Sequence, residues 1–199
     1  MFDTLKLLFS YDFIVRAMIA GGLVALCCAL LGVSLVLKRF SMIGDGLSHV
    51  GFGALSVAAV MNVAPLAIAV PVVIIAAFFI LKLGKDSKVQ SDSAIALVSS
   101  VAIAVGVTVT SLSGGLNTDV YSYMFGSILA MSKTDVYISA ALSVVVLILF
   151  FVFYHKIFAI TFDSDFAKAT GVKAEFYNML IAVLTALTIV VGMRIMGTM

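Results

Sequence analysis

Residues 17–37 run for 21 positions without a charged side chain, and residues 50–81 run for 32. An α-helix needs about 20 apolar residues to cross the ~30 Å hydrocarbon layer of a bilayer. The chain as a whole is 63% hydrophobic and 11% charged, where a soluble domain is roughly half apolar and about one quarter charged. Together these make it an integral membrane protein. A net charge of +2 with no basic cluster gives no footing for nucleic acid. The first apolar run is too long for a signal-peptide core, and no small-residue cleavage site follows it. Cys27 and Cys28 are adjacent within an apolar run. Neighbouring cysteines rarely bridge one another, so they read as small hydrophobes.

The 32-residue run would make about 48 Å of helix, too long for one crossing. Asn62 and Pro65 mark the natural cut. The expected architecture is an all-α, polytopic transmembrane helix bundle forming one domain over residues 1–199. Its six spans fall near 17–37, 44–61, 65–81, 93–113, 136–154 and 176–197. The fourth carries Ser99, Ser100, Gly106, Thr108 and Thr110 as small contact residues. Residues 1–16 read as an interfacial lead-in. Residues 120–131, with Tyr121, Tyr123 and Phe125, read as a short interfacial helix. Residues 82–92 and 155–175 read as polar loops.

Charge sets the direction of the weave. Lys38, Arg39, Lys82, Lys85, Lys88, Lys156, Lys168 and Lys173 fall on one side; Lys6, Arg16, Lys133 and Arg194 fall on the other. Eight against four places the first group in the cytoplasm and the N-terminus outside, in the plasma membrane.

The working stretch is residues 39–53, Arg-Phe-Ser-Met-Ile-Gly-Asp-Gly-Leu-Ser-His-Val-Gly-Phe-Gly. Asp45 and His49 stand four apart, which puts them on one face of a helix about a turn apart. A carboxylate at the centre of a membrane helix costs roughly 2.5–3.5 kcal/mol on insertion scales, so such residues tend to be functional. Imidazole and carboxylate are common donors to divalent transition metals. The bland alternative makes Asp45 a first-turn residue favoured by the helix dipole and His49 a satisfied core histidine. Gly44, Gly46, Gly51 and Gly53 favour the functional reading, because they permit close backbone approach or local unwinding of the kind transporters use at their binding sites. Two ligands do not complete a metal site; others must come from a symmetry mate, another span or further sequence.

A second stretch, residues 161–177, offers Asp163, Ser164 or Asp165 as the cap of a short helix ended by Gly171. Such a helix of small residues suits docking in a partner's groove, or it is a plain solvated connector. His155 reads as an interfacial anchor sooner than a ligand, and Asp119, near the outer surface, as the cap of the helix at residue 120 sooner than a lure for cations at the entrance. There is no Gly-rich Lys-Ser/Thr phosphate loop, no His-Glu-x-x-His and no Gly-x-Ser-x-Gly, so ATP hydrolysis, zinc proteolysis and serine-hydrolase chemistry are not expected of this chain.

Lys38-Arg39-Phe-Ser-Met-Ile-Gly-Asp45-Gly-Leu-Ser-His49, the segment 119–126, Asp165-Phe-Ala-Lys-Ala-Thr-Gly171 and the segments 185–188 and 191–198 together resemble the zinc/manganese/iron ABC-transporter permease family. The resemblance covers essentially the whole chain. It implies a homodimeric or pseudo-dimeric permease of cobalamin-importer-like (type II) architecture, with no permanently bound cofactor and a divalent transition metal as cargo. An extracytoplasmic solute-binding protein would deliver the metal, and cytoplasmic ATPase subunits would dock on the short helix. Asp45 and His49 would be metal ligands; Asp165, Ala167, Ala169 and Gly171 would belong to the ATPase-coupling segment. Family members continue past the equivalent of residue 199, which implies a truncated, split or partial permease here. The competing readings are a secondary metal transporter, an ABC permease for an organic ligand or metal chelate, and an inactive fragment.

Overall fold

The computed structural model describes residues 11–86, 91–113 and 133–197. Asp119, the family-like segment 119–126 and the short helix expected at 120–131 lie outside them. The described residues form eight helices: α1 (Asp12–Leu37), α2 (Ile43–Val60), α3 (Pro65–Asp86), α4 (Ser91–Leu112), α5 (Lys133–Val152), α6 (Tyr154–Phe162), α7 (Ser164–Ala169) and α8 (Ala174–Met196). The all-α class read from the apolar runs is the observed one.

Three helix ends use one device. After α1, the Arg39 N–H donates to Val36 and the Phe40 N–H to Leu35, with Arg39 at φ 63°. After α2, Asn62 donates to Ala59 and Val63 to Ala58, with Asn62 at φ 51°. After α7, Gly171 donates to Lys168 and Val172 to Ala167, with Gly171 at φ 82°. This paired closure satisfies carbonyls that would otherwise be orphaned at a helix end. It also reverses the chain tightly, so α2 begins close to the end of α1.

Two expectations need correction. Residues 82–86 and 91–92, read as part of a polar loop, are the end of α3 and the start of α4. Residues 155–162 are not loop but α6, which leaves the axis of α5 at 69°. Ile157 and Ile160 are buried while Tyr154, Phe158 and Phe162 are exposed. That is the two-faced pattern of a short helix lying across a packed surface, and the polar His155 and Lys156 at its start obscured it.

Two helices occupy the interior. α2 packs against α4, α3 and α8, and α8 packs against α3, α1, α5 and α2. Some 61% of α2 is buried but only 17% of α4. The most interior helix is therefore the least apolar of the four that are long enough to cross a membrane. Small residues explain this. In α2, a Cβ at Gly46 would meet Ile95 Cγ2 at 2.4 Å, and one at Gly53 would meet the Ala102 carbonyl oxygen at 2.7 Å. From the other side, a Cβ at Gly106 would meet the Phe52 ring at 2.7 Å. Gly51 faces Met193 of α8 in the same way. Gly46, Gly51 and Gly53 thus serve close approach, the packing mode open to helices in lipid, while Gly44 has nothing within 4 Å. They do not unwind the helix, which runs unbroken from Ile43 to Val60.

The seam makes a direct prediction. Gly53→Ala forces α4 backbone away and should cost about 1–3 kcal/mol, read as a lower Tm in detergent. Gly22→Ala on α1, where nothing lies within 4 Å, should leave the Tm unchanged or raise it. Equal Tm values for the two variants would contradict the seam.

Candidate functional site

Asp45 is in the first turn of α2 and His49 one turn further. Met42 precedes the helix and supplies no side-chain cap, so the Asp45 carboxylate is the negative group closest to the helix's positive end. His49 Nε2 faces Asp45 Oδ1 at 3.7 Å, with the Asp45 side chain 63% exposed and that of His49 19% exposed. This is longer than an N–H···O hydrogen bond, typically 2.7–3.2 Å. The two donors stand side by side without locking each other. Ser48 Oγ caps the Asp45 backbone carbonyl at 2.7 Å and leaves the carboxylate alone.

His49 is not a satisfied core histidine here. Its Nδ1 is buried and has no hydrogen-bond partner. Leaving such an atom unpaired costs about 1–3 kcal/mol, and the group has a lone pair or a proton available to something not part of this chain's fold. Among the described residues, no third His, Cys, Asp or Glu joins the pair. A cavity of about 160 Å³ opens beside the start of α2, lined by Cys28, Phe40, Ser41, Gly44, Thr185 and Thr188.

Ser56, one of the most deeply buried residues of α2, also has an unpartnered Oγ. Other hydroxyls within helices back-bond to the carbonyl four residues earlier: Ser100 to Ala96, Thr110 to Gly106, Thr161 to Ile157, Thr185 to Ile181 and Thr188 to Leu184. The sequence gives one hint of Ser56, which is that it follows His49 by seven residues, two turns on the same face.

The second stretch is α7. Of the three possible caps, Asp163 takes the role: its Oδ1 accepts from the Asp165 and Phe166 N–H groups at 3.0 and 2.9 Å. Ala167 is fully buried and seats the helix, while Asp165, Phe166, Lys168 and Ala169 face outward. Lys168 Nζ reaches Asp165 Oδ1 at 3.1 Å across this exposed face. His155 is exposed, with its ring 5.8 Å from that of Tyr154.

Both stretches lie at one end of the bundle. Lys38 Nζ, at the end of α1, donates to Asn178 Oδ1 near the start of α8. Leu37 and Phe158 line a common groove between α1 and α6. The end of α1, from which the chain turns toward Asp45, therefore lies beside α6 and the start of α8, the two elements that flank α7, although more than 100 residues separate them in sequence.

The sequence model of the ABC 3 transport family matches residues 10–199. The chain is 28% identical over 190 residues to the manganese transport system membrane protein MntC of Halalkalibacterium halodurans, covering 96% of this chain and 65% of that protein. It is 32% identical over 197 residues to a probable iron transport system membrane protein of Haemophilus influenzae, covering 99% and 70%. The fold superposes on PsaBC from Streptococcus pneumoniae, solved in complex with Fab, with a TM-score of 0.81 at 28% identity over 98% of this chain and 70% of that one. The chain thus spans about two thirds of the length of the relatives it matches.

The cap on α7 is open to test. Asp163→Ala should cost about 0.5–2 kcal/mol of local stability and speed amide exchange across residues 163–171, whereas Asp163→Asn should keep most of the protection. Unchanged exchange in the alanine variant would remove Asp163 from this role.

Proposed function

This chain belongs to the ABC 3 transport family, and on that premise we propose that it is the membrane-spanning subunit of an ABC importer for a divalent transition metal. The observation that carries the reading is His49 itself, whose Nε2 faces the Asp45 carboxylate while its buried Nδ1 has no partner, on the most buried helix of an otherwise apolar bundle. A carboxylate oxygen and an imidazole nitrogen suit manganese, zinc and iron alike. The names of the relatives divide in the same way, one naming manganese and another iron. The cargo is accordingly a class, not one ion.

In this reading Asp45 and His49 hold the dehydrated ion transiently. The remaining ligand positions are filled by the same pair from a second protomer of a homodimer, or by another span. Holding must be loose enough for release. Alternating access moves the ion, driven by ATP hydrolysis in partner subunits; this chain is a transport subunit and not itself the ATPase. An extracytoplasmic binding protein delivers the metal. The charge distribution sets α7 in the cytoplasm and the N-terminus outside, and α7 is the docking point for the ATPase: Asp165 and Ala169 meet the partner, Ala167 seats the helix, and Gly171 turns the chain back into α8.

Two outcomes are expected. In cells carrying the whole transport system, His49→Ala should reduce uptake of labelled manganese or zinc to background while the protein remains at parental levels in the membrane; parental uptake would sink the site assignment. Ala169→Trp, on the exposed face of α7, should abolish co-purification of the ATPase subunit without loss of insertion. Retention of the ATPase by that variant would take α7 out of the interface.

A further inference from the structure

Asp45, His49 and Ser56 occupy positions i, i+4 and i+11 of α2, which fall within about 40° of arc on a helix of 3.6 residues per turn. The surrounding contacts identify what this arc faces. Phe52, on one flank, meets Gly106, and Gly46 and Gly53, on the other, meet Ile95 and Ala102. The His49 and Ser56 part of the arc therefore lies beneath α4, while the Asp45 side chain at its start is exposed. The two helices run parallel in register, since Gly46 meets Ile95 and Gly53 meets Ala102. Ser99, itself buried, stands between Ile95 and Ala102 on α4 at the level of His49. Both buried side-chain polar atoms without a partner among the described residues, His49 Nδ1 and Ser56 Oγ, lie on this single stripe.

We propose that Ser56 is a further donor on the ion's route: its hydroxyl oxygen receives the cation about 10 Å along α2 from His49, toward the end of the bundle away from α7. This rests on the transport reading above and extends it. An ion approaching from the far end meets Ser56 first and the Asp45–His49 pair second. A neutral oxygen holds a divalent cation more weakly than a carboxylate with an imidazole, so the order runs from weak to strong and the ion is drawn inward. In this structure Ser56 is covered. The helix that covers it is the least buried of the four long apolar ones and is packed on only α2 and α3 among the described elements. Uncovering Ser56 requires α4 to part from α2 along the glycine seam, a movement in which the packing of α2 on α3 and α8 takes no part.

The test uses Ser56→Ala and Ser56→Cys in cells carrying the whole transport system, with Mn²⁺ as cargo and Cd²⁺ as competitor. Ser56→Ala should slow Mn²⁺ uptake by about tenfold or more at an unchanged level in the membrane. Ser56→Cys exchanges a hard oxygen for a soft thiolate. It should become sensitive to Cd²⁺ block at concentrations that leave the parent unaffected; Cys27 and Cys28 are present in both and cancel. A merely structural hydroxyl would not move metal preference. Parental Mn²⁺ uptake in Ser56→Ala together with parental Cd²⁺ sensitivity in Ser56→Cys overturns the proposal. If Ser56→Ala fails to insert, the near-isosteric Ser56→Cys decides alone by the same criterion. These results are separable from the transport reading: a silent Ser56 beside an inactive His49→Ala removes only this step, while normal uptake in His49→Ala removes both.

Discussion

At Gly53 the backbones of α2 and α4 come so close that one added carbon would meet the Ala102 carbonyl oxygen at 2.7 Å. Between helices surrounded by lipid, burial of apolar surface gives little net drive, because acyl chains are as apolar as leucine. Contact area and polar pairing must do the holding. The glycines of α2 provide that contact. They let the least apolar helix become the most enclosed one, and they set which face of it α4 covers. His49 and Ser56 lie along that covered face, with Asp45 at its exposed end, so the packing and the proposed chemistry depend on the same few residues.

Some of this was legible in the sequence. The uncharged runs required membrane helices, and the all-α class followed. Asp45 and His49 stood out because polar residues are rare in such runs. Their spacing could not distinguish a satisfied histidine from an unsatisfied one; that needed the surroundings of Nδ1, which other helices supply. The glycines were visible, but their use was not. Unwinding and close approach have the same composition, and the position of Ile95 and Ala102 decides between them. α6 was hidden for a local reason, since His155 and Lys156 at its start look like the beginning of a loop. The alternation of buried Ile157 and Ile160 with exposed Phe158 and Phe162 was the signal to use. Ser56 drew no notice because serine is common in membrane helices, and only the absence of the usual back-bond sets it apart.

The helix ends show how far a membrane boundary constrains local chemistry. Gly171 takes the left-handed conformation after α7 without penalty, but Arg39 takes it after α1, where a side chain costs about 1–2 kcal/mol. An arginine there keeps positive charge at the boundary, while Phe40, brought round by the same turn, is buried against the bundle. The turn therefore serves anchoring and packing together, and it fixes the start of α2 on which Asp45 stands.

The 69° departure of α6 from α5 has a mechanical meaning. α7 touches the bundle mainly through α6, with a lesser contact to α8, and α6 in turn rests on α1, α5 and α8. Lying across the bundle instead of along it, α6 acts as a crossbar between one short peripheral segment and three long struts. A load carried by α7 therefore bears, through the contacts of that bar, on all three. A straight continuation of α5 would have delivered the same load to one strut alone.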